Sequence, residues 1–363
     1  MEQQIQFCTM SDGTRIAFTV MGRGPALVCV PAWLSHLALA WEEPAFRGFY
    51  ESLARHFTVV LYDRYGCGLS DRERTDYGVE VDLRVLAAVV DHLQLPRFAL
   101  WGVSAGGLTA IPYAARHPRR VSHLVLFGAW ASGSLVPVGA ALKALMIAHW
   151  GLGSRTLADW FLPGAEPAAI EWFARLQRTA AAPEMAAALM EAAAQVDVTD
   201  LLPQLHVPTL VINRRNDPIT PLETARELAA RIPNARLAPV EGNVHIPQFG
   251  EPEPVLRAIS EFLGVPAARA RLALIRQSSA TAEQAGEPGV AFHHLSEREV
   301  EVLQLVASGL SNKDLAERLV LSIHTVERHL ANIYTKIGAR SRTNAAAFAI
   351  EQGLTARHDR VAT

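Results

Sequence analysis

The stretch Trp101-Gly102-Val103-Ser104-Ala105-Gly106-Gly107 sets a hydroxyl nucleophile among close-spaced glycines. It follows the apolar run FALWGV and opens a helical pattern over 105–117. A G-x-S-x-G turn at a strand-to-helix junction is so tight that side chains flanking the serine would clash. Its strained backbone lifts Oγ above the edge of a sheet. The amide of Ala105, at the start of the following helix, can then face the negative charge that develops on an attacked carbonyl. The chemistry implied is nucleophilic attack on an ester-type carbonyl.

Such a turn works only on a rigid scaffold, and the flanking sequence predicts one. IQFCTM and RIAFTVMG flank Ser11-Asp12-Gly13 as a hairpin. ALVCVP, FTVVLYD, FALWGVS and VSHLVLFG are continuous apolar runs of strand length, the pattern of strands buried on both faces in a parallel sheet. Helical patterns such as 79–94 and 105–117 lie between them, so the chain reads as an α/β layer fold. From about 130 to 204 the strand signal gives way to alanine-rich amphipathic stretches at 138–150, 167–180 and 184–196, a helical insertion. PTLVINRR, a helix near 221–231, ARLAPVEG and a helix near 253–263 resume the sheet pattern. Residues 265–291 are polar, small and aperiodic, as a linker requires.

Residues 1–264 resemble an α/β-hydrolase with a helical cap at about 130–204. Besides the Ser104 turn, the resemblance rests on Asp63-Arg64-Tyr65-Gly66-Cys67-Gly68-Leu69-Ser70-Asp71, on Asn216-Asp217-Pro218-Ile219-Thr220-Pro221, and on Gly242-Asn243-Val244-His245. It implies a catalytic triad of Ser104, Asp217 and His245 in the family's chain order. His245 would take the serine proton, and Asp217 would fix the imidazole tautomer and stabilise its charged form. Asp63 and Asp71 would shape the loop beneath the site. The family often carries His-Gly after its third strand, where this chain reads Val30-Pro31-Ala32-Trp33-Leu34-Ser35-His36. Trp33 would therefore join Ala105 in supplying oxyanion-hole amides, with Ala32 less permissive of backbone angles than glycine. Trp33, His36, Trp41 and Trp160, with Phe161 and Trp172, are expected around an apolar ligand pocket.

The last seventy residues follow another pattern. Leu295-Ser296-Glu297-Arg298-Glu299 is a capping box before VEVLQLVASG. Hydroxyl caps at Ser311, Ser322 and Ser341 open three more helices, giving a small four-helix all-α unit. Its second and third helices read as a helix-turn-helix. Leu315, Ala316, Leu319 and Leu321 face Val326, Leu330 and Ile333 inside. Thr325, Arg328, His329, Asn332 and Lys336 lie outside, followed by Arg340 and Arg342. Those donors suit phosphates and base edges in a DNA major groove. Residues 292–363 are similar to the LuxR-type DNA-binding domain, which implies double-stranded DNA as a partner and a homodimer on a two-half-site operator. Glu327 stands where that family usually has lysine.

Composition bounds the rest. The chain has 363 residues, 50% of them hydrophobic, with a formal net charge of −2, so it suits two packed domains and carries no chain-wide basic field. Cys8, Cys29 and Cys67 lack metal or disulfide spacing, and no metal site or cofactor is expected. No secretory signal is visible and no apolar stretch spans a bilayer, so a cytoplasmic protein away from membranes is expected. Two readings follow: a transcriptional regulator whose hydrolase-like domain senses a small ester, lactone or similar molecule, or an active serine hydrolase with a DNA-binding regulatory tail.

Overall fold

A computed structural model of the chain describes residues 2–133, 140–265, 297–307, 310, 312–319, 321–337 and 345. The chain falls into two compact units, Met1–Thr281 and Ala282–Thr363.

The first unit is an α/β-hydrolase fold. Its strands are β1 (Gln6–Thr9), β2 (Arg15–Met21), β3 (Ala26–Val30), β4 (Thr58–Tyr62), β5 (Phe98–Val103), β6 (Val121–Phe127), β7 (Thr209–Arg214) and β8 (Arg236–Val240). They form one eight-stranded sheet in the order β1-β2-β4-β3-β5-β6-β7-β8. β2 runs antiparallel to β1 and β4, and every other neighbouring pair is parallel. The hairpin turn closes through Met10 N–H to the Thr14 carbonyl at 2.8 Å. After β3 the chain steps outward to β4 and then returns to the other side of β3 as β5. This reversal opens a crevice at the carboxyl ends of β3 and β5, the natural ligand position in an open α/β sheet.

Alternation along each strand sends side chains to two separate cores. Leu100 of β5 packs with α3 (Val79–His92), α4 (Gly107–Arg116) and α9 (Leu222–Arg231). Its neighbours Ala99 and Trp101 pack on the opposite face with α2 (Pro44–Ala54) and α10 (Glu253–Phe262). Trp101 is fully buried and stacks on Phe49 of α2 at 5.6 Å between ring centroids. A cavity there would cost about 3–5 kcal/mol.

Two helices fill the return from β3 to β4: α1 (Leu37–Glu42) and α2. His36 caps α1 by accepting the Leu39 amide on Nδ1, and Pro44 starts α2 where its missing N–H costs nothing. The helical insertion comprises α5 (Ala140–Ala148), α6 (Trp150–Phe161), α7 (Pro167–Ala180) and α8 (Pro183–Gln195). Its neck is tied at the sheet edge, where Gly133 N–H donates to Val196 O and Val198 N–H to Ala131 O, each at 2.8 Å. Residues 134–139 at the start of the insertion lie outside the described residues.

In the second unit the described helices are Glu297–Ala307, Asn312–Leu319 and Ile323–Ile337. Val302, Leu303 and Val306 from the first, Leu315, Ala316 and Leu319 from the second, and Val326, Leu330 and Ile333 from the third form one buried cluster with Ala345. Ser322 Oγ accepts the Thr325 amide at 3.1 Å and caps the third helix. The polar stretch 266–291, the capping serines Ser296, Ser311 and Ser341, and most of the fourth helix lie outside the described residues.

Candidate active site

Ser104 follows the last residue of β5 and opens a 3₁₀ turn that runs into α4. Its φ of +54° lies in the left-handed region, which costs a non-glycine residue about 1–3 kcal/mol. Close backbone packing holds the strain in place. A Cβ on Gly102 would stand 2.9 Å from the Ala110 methyl and 3.1 Å from the Gly106 carbonyl oxygen. One on Gly106 would stand 2.7 Å from the Pro31 carbonyl oxygen. Both glycines are therefore required where they stand, because the strand–turn–helix and the end of β3 approach at backbone distance.

Asp217 and His245 come from the loops after β7 and β8, with α9 and β8 between them. Ser104 Oγ lies 2.8 Å from His245 Nε2, and His245 Nδ1 lies 2.7 Å from Asp217 Oδ2. The carboxylate at Nδ1 places the imidazole proton there and leaves Nε2 to accept the serine proton. Asp217 is itself oriented by the amides of Ile219 and Thr220, at 2.9 and 3.1 Å on Oδ1. Thr220 Oγ1 then donates to Gly128 O at the end of β6. All three side chains are buried, so their interactions act in a low-dielectric surrounding.

Two neighbours seat the histidine. Its backbone N–H donates to the carbonyl of Phe161, the last residue of α6, at 2.9 Å, and the Phe161 ring stacks on the imidazole at 5.5 Å. Beneath the loop, Arg214 at the end of β7 is fully buried. It donates to the carbonyls of Val244 at 2.5 Å, Ile246 at 3.1 Å and Phe249 at 2.6 Å. Burial pulls the basicity of Arg214 below its ordinary value, against the opposing pull of Asp217 and Glu251.

A cavity of about 120 Å³ opens beside Ser104 and His245. Its walls are mainly apolar, with Leu34, Phe46, Phe173 and Leu176 among them, and Tyr50, Asp63 and Gln248 add polar groups. Gln248 Nε2 donates to the Tyr50 hydroxyl at 3.0 Å. A second cavity of about 40 Å³ meets Ser104 from the other side, and Trp33 and Phe161 border both. Trp33 is pinned by its indole N–H, which donates to Ala186 O of α8 at 3.1 Å.

Of the residues expected at the pocket, Trp33 and His36 line the larger cavity and Trp160 the smaller. Ala105 lies beside Ser104 in the smaller one. Trp41 lines neither cavity; it is half-buried against the cluster on the α2 and α10 side of the sheet. Trp172 likewise belongs to a separate core, at 5.6 Å from Phe249 and 6.4 Å from Phe46. Asp63 is buried under the β4 loop and accepts the amides of Leu37 and Leu69. Burial pushes its carboxyl up to about 6, and those amides pull the other way. Asp71 holds the Arg15 amide at 2.8 Å and so ties the same loop to β2. Below it, burial works against the charge on Asp82, but Arg64 and Arg74 together hold its carboxyl below the usual range. Among the described residues no cluster of side chains could hold a metal ion.

Sequence inspection missed Arg214, Tyr50 and Gln248. A charged residue closing an otherwise apolar strand was the one visible sign of Arg214. Tyr50 and Gln248 meet from positions 198 residues apart, and nothing in local pattern marks such a pair.

In the C-terminal unit, Asn332 is exposed on the third helix, and Thr325 and His329 are half-exposed. Thr325 Oγ1 shares a 2.8 Å hydrogen bond with the capping Ser322. Lys336 is exposed on the third helix and also makes an ion pair within the unit. Its Nζ pairs at 2.8 Å with the buried Glu299 of the first helix, bracing the two helices together. The side chain of Arg328, and Arg340 and Arg342 altogether, lie outside the described residues.

Comparison with known proteins agrees with this fold and its two units. Residues 25–150 match the family model described as alpha/beta hydrolase fold, and 180–270 match one described as TAP-like protein. Residues 293–349 match bacterial regulatory proteins of the luxR family. The chain is 28% identical over 212 residues to 3-oxoadipate enol-lactonase 2 of Acinetobacter baylyi, covering 56% of this chain and 77% of that protein. It is 29% identical over 259 residues to 2-hydroxy-6-oxo-2,4-heptadienoate hydrolase of Pseudomonas putida, covering 67% and 87%. The solved structure of a hydrolase from Pseudomonas aeruginosa superposes with a TM-score of 0.63 at 25% identity, covering 72% of this chain and 98% of that one.

Proposed function

The chain belongs to the α/β-hydrolase family and carries a luxR-family regulatory domain at its C-terminal end, and from that premise we propose that it is a ligand-responsive transcriptional regulator. Its helix-turn-helix reads duplex DNA as a homodimer in the cytoplasm. Its hydrolase-fold domain receives a small apolar ester, lactone or similar molecule at Ser104. The observation that carries this reading is the assembled Ser104–His245–Asp217 relay at 2.8 and 2.7 Å, facing an apolar cavity on the same polypeptide as a DNA-binding module.

In this reading Ser104 Oγ attacks the ligand carbonyl as His245 Nε2 takes its proton, and Asp217 balances the imidazolium. The amides of Ala105 and Trp33 receive the oxyanion. The C–O bond to the leaving alcohol breaks as His245 returns the proton to that oxygen. Water then repeats the sequence on the acyl-serine, releasing a carboxylic acid. Ligand or acyl group regulates DNA binding to the extent that it favours one arrangement of the two domains or of the dimer.

The preassembled relay also supports the second reading, a working serine hydrolase with a DNA-binding tail, and one experiment separates them. Wild type and Ser104→Ala are assayed for 4-nitrophenyl butyrate hydrolysis, for gel-shift of genomic duplex fragments, and for ester response in a reporter strain. Hydrolysis is expected to fall by more than about 10³-fold in the variant. A retained reporter response marks a sensor, and a lost one marks turnover as the signal. Wild type that binds duplex no more tightly than a truncation ending at residue 264 would overturn the regulator.

A further inference from the structure

Resting on the reading that Ser104 receives an ester-type carbonyl, we infer that the site is selective for ligands uncharged on both sides of that carbonyl and rejects those with a carboxylate arm.

The argument begins with what lines the two cavities. The larger, beside His245, has walls such as Leu34, Phe46, Phe173, Leu176 and Ile246. The smaller has Leu157, Met190, Ala193 and Ile219, with the Ser104 hydroxyl and the neutral indoles of Trp33, Trp130 and Trp160. Among the described residues lining either one there is no lysine or arginine. A carboxylate brought into such a space loses its water and gains no cation, a cost that grows steeply in an apolar surrounding.

The guanidinium groups around the site are engaged elsewhere. Arg72 donates to the carbonyls of Gly68 and Thr179, and Arg64 and Arg74 share Asp82. Arg214 is spent on the carbonyls of the His245 loop. Recruiting Arg64, Arg74 or Arg214 would break a buried bond network, and Arg72, although exposed, would have to give up its carbonyl partners.

Asp63 adds a second obstacle. It lines the larger cavity and is an anion above about pH 6, so a ligand carboxylate would meet a like charge. Its oxygens already accept the Leu37 and Leu69 amides, so it offers little to a ligand cation either. The remaining polar groups are neutral. His36 accepts the Leu39 amide on Nδ1, and burial with the nearby Arg72 charge keeps its basicity below normal. Burial likewise holds Tyr50 as a phenol, whose oxygen accepts from Gln248 and whose proton remains to be donated. Neutral donors of this kind suit a keto, ether or ester oxygen. The two relatives named above have names that denote carboxylic acids, so this chain would differ from them in what it takes.

Matched esters test the inference on the full-length protein at pH 7.5. 4-Nitrophenyl heptanoate and the 4-nitrophenyl monoester of adipic acid differ in little but the terminal charge. The neutral ester is expected to exceed the charged one in kcat/KM by at least about a hundredfold, given an unpaired buried carboxylate. Ratios within about threefold, or a preference for the adipate ester, would overturn it. A second measurement does not need turnover: calorimetric titration of Ser104→Ala with methyl heptanoate and with monomethyl adipate. Binding of the neutral ester alone supports the inference. Equal binding, preference for the adipate or binding of neither overturns it. Wild type that hydrolyses neither ester while Ser104→Ala still binds the neutral one would remove catalysis from the proposed function and leave the selectivity standing.

Discussion

Arg214 grips the loop that carries His245 from beneath. Replacing it with methionine keeps an unbranched apolar stem of similar reach and removes the donors. The carbonyls of Val244, Ile246 and Phe249 then lose the guanidinium that holds them. An unsatisfied buried acceptor costs about 1–3 kcal/mol. Three of them, less the buried guanidinium's own desolvation cost and partial water entry, come to about 3–5 kcal/mol. That is a large part of a typical domain's 5–15 kcal/mol of stability, roughly. All seven tryptophans lie between Trp33 and Trp172, so indole fluorescence during urea unfolding reports the hydrolase-fold unit alone. At a slope of about 3 kcal/mol per molar urea, the midpoint should fall by about 1 M or more. Because His245 lies on the loop that Arg214 grips, ester hydrolysis should fall by at least about tenfold in the variant that remains folded. Arg214→Lys, a point charge without the fork, should fall between the two. A midpoint within about 0.2 M of wild type together with hydrolysis within about twofold would show that the guanidinium does not hold the loop.

Asp63 should make the hydrolase-fold unit prefer mild acid. Its carboxyl is raised from 3.8 to about 6 in the folded chain, so the stabilisation it contributes is full below pH 3.8 and is lost as pH rises through 6. The span corresponds to about 3 kcal/mol, read as the change in the difference between wild type and Asp63→Asn across pH 4–7 in urea midpoints. In the C-terminal unit, Lys336→Ala should lower stability by about 1 kcal/mol at most, seen by circular dichroism, because its partly exposed pair with Glu299 braces two helices. Asn332→Ala should leave stability alone and weaken duplex binding by at least about fivefold in a gel shift. Unchanged binding would remove the exposed face of the third helix from the DNA interface.

The sheet was legible because each of its central strands is buried on both faces and so reads as an unbroken apolar run, as all six residues of β5 do. The Ser104 turn was legible because its glycines answer a local steric demand. Helix α6 was not, since WGLGSRTLADWF carries two glycines that argue against a helix. The structure explains one of them: a Cβ on Gly153 would come within 2.9 Å of the Met146 Cα, so the glycine lets α5 and α6 approach closely. Trp41 was assigned to the pocket from its type and neighbourhood alone. Which residues of a six-residue helix reach a cavity depends on the elements that cover it, and Leu37 and Ala40 of α1 line the larger cavity while Trp41 does not. Lys336 carries the same lesson. Helical spacing put it on the outer face, where it is exposed, but could not show its pairing with Glu299, far away in sequence.

The hydrogen bond from His245 N–H to the Phe161 carbonyl couples the helical insertion to the general base. Phe161 ends a helix of the insertion and its ring also borders both cavities. Any displacement of that helix end is therefore passed to the backbone of His245 through a single hydrogen bond. One residue of the insertion thus both walls the two cavities and carries the carbonyl that fixes the His245 backbone. A substitution at Phe161 should therefore alter the His245 position as well as the cavity walls.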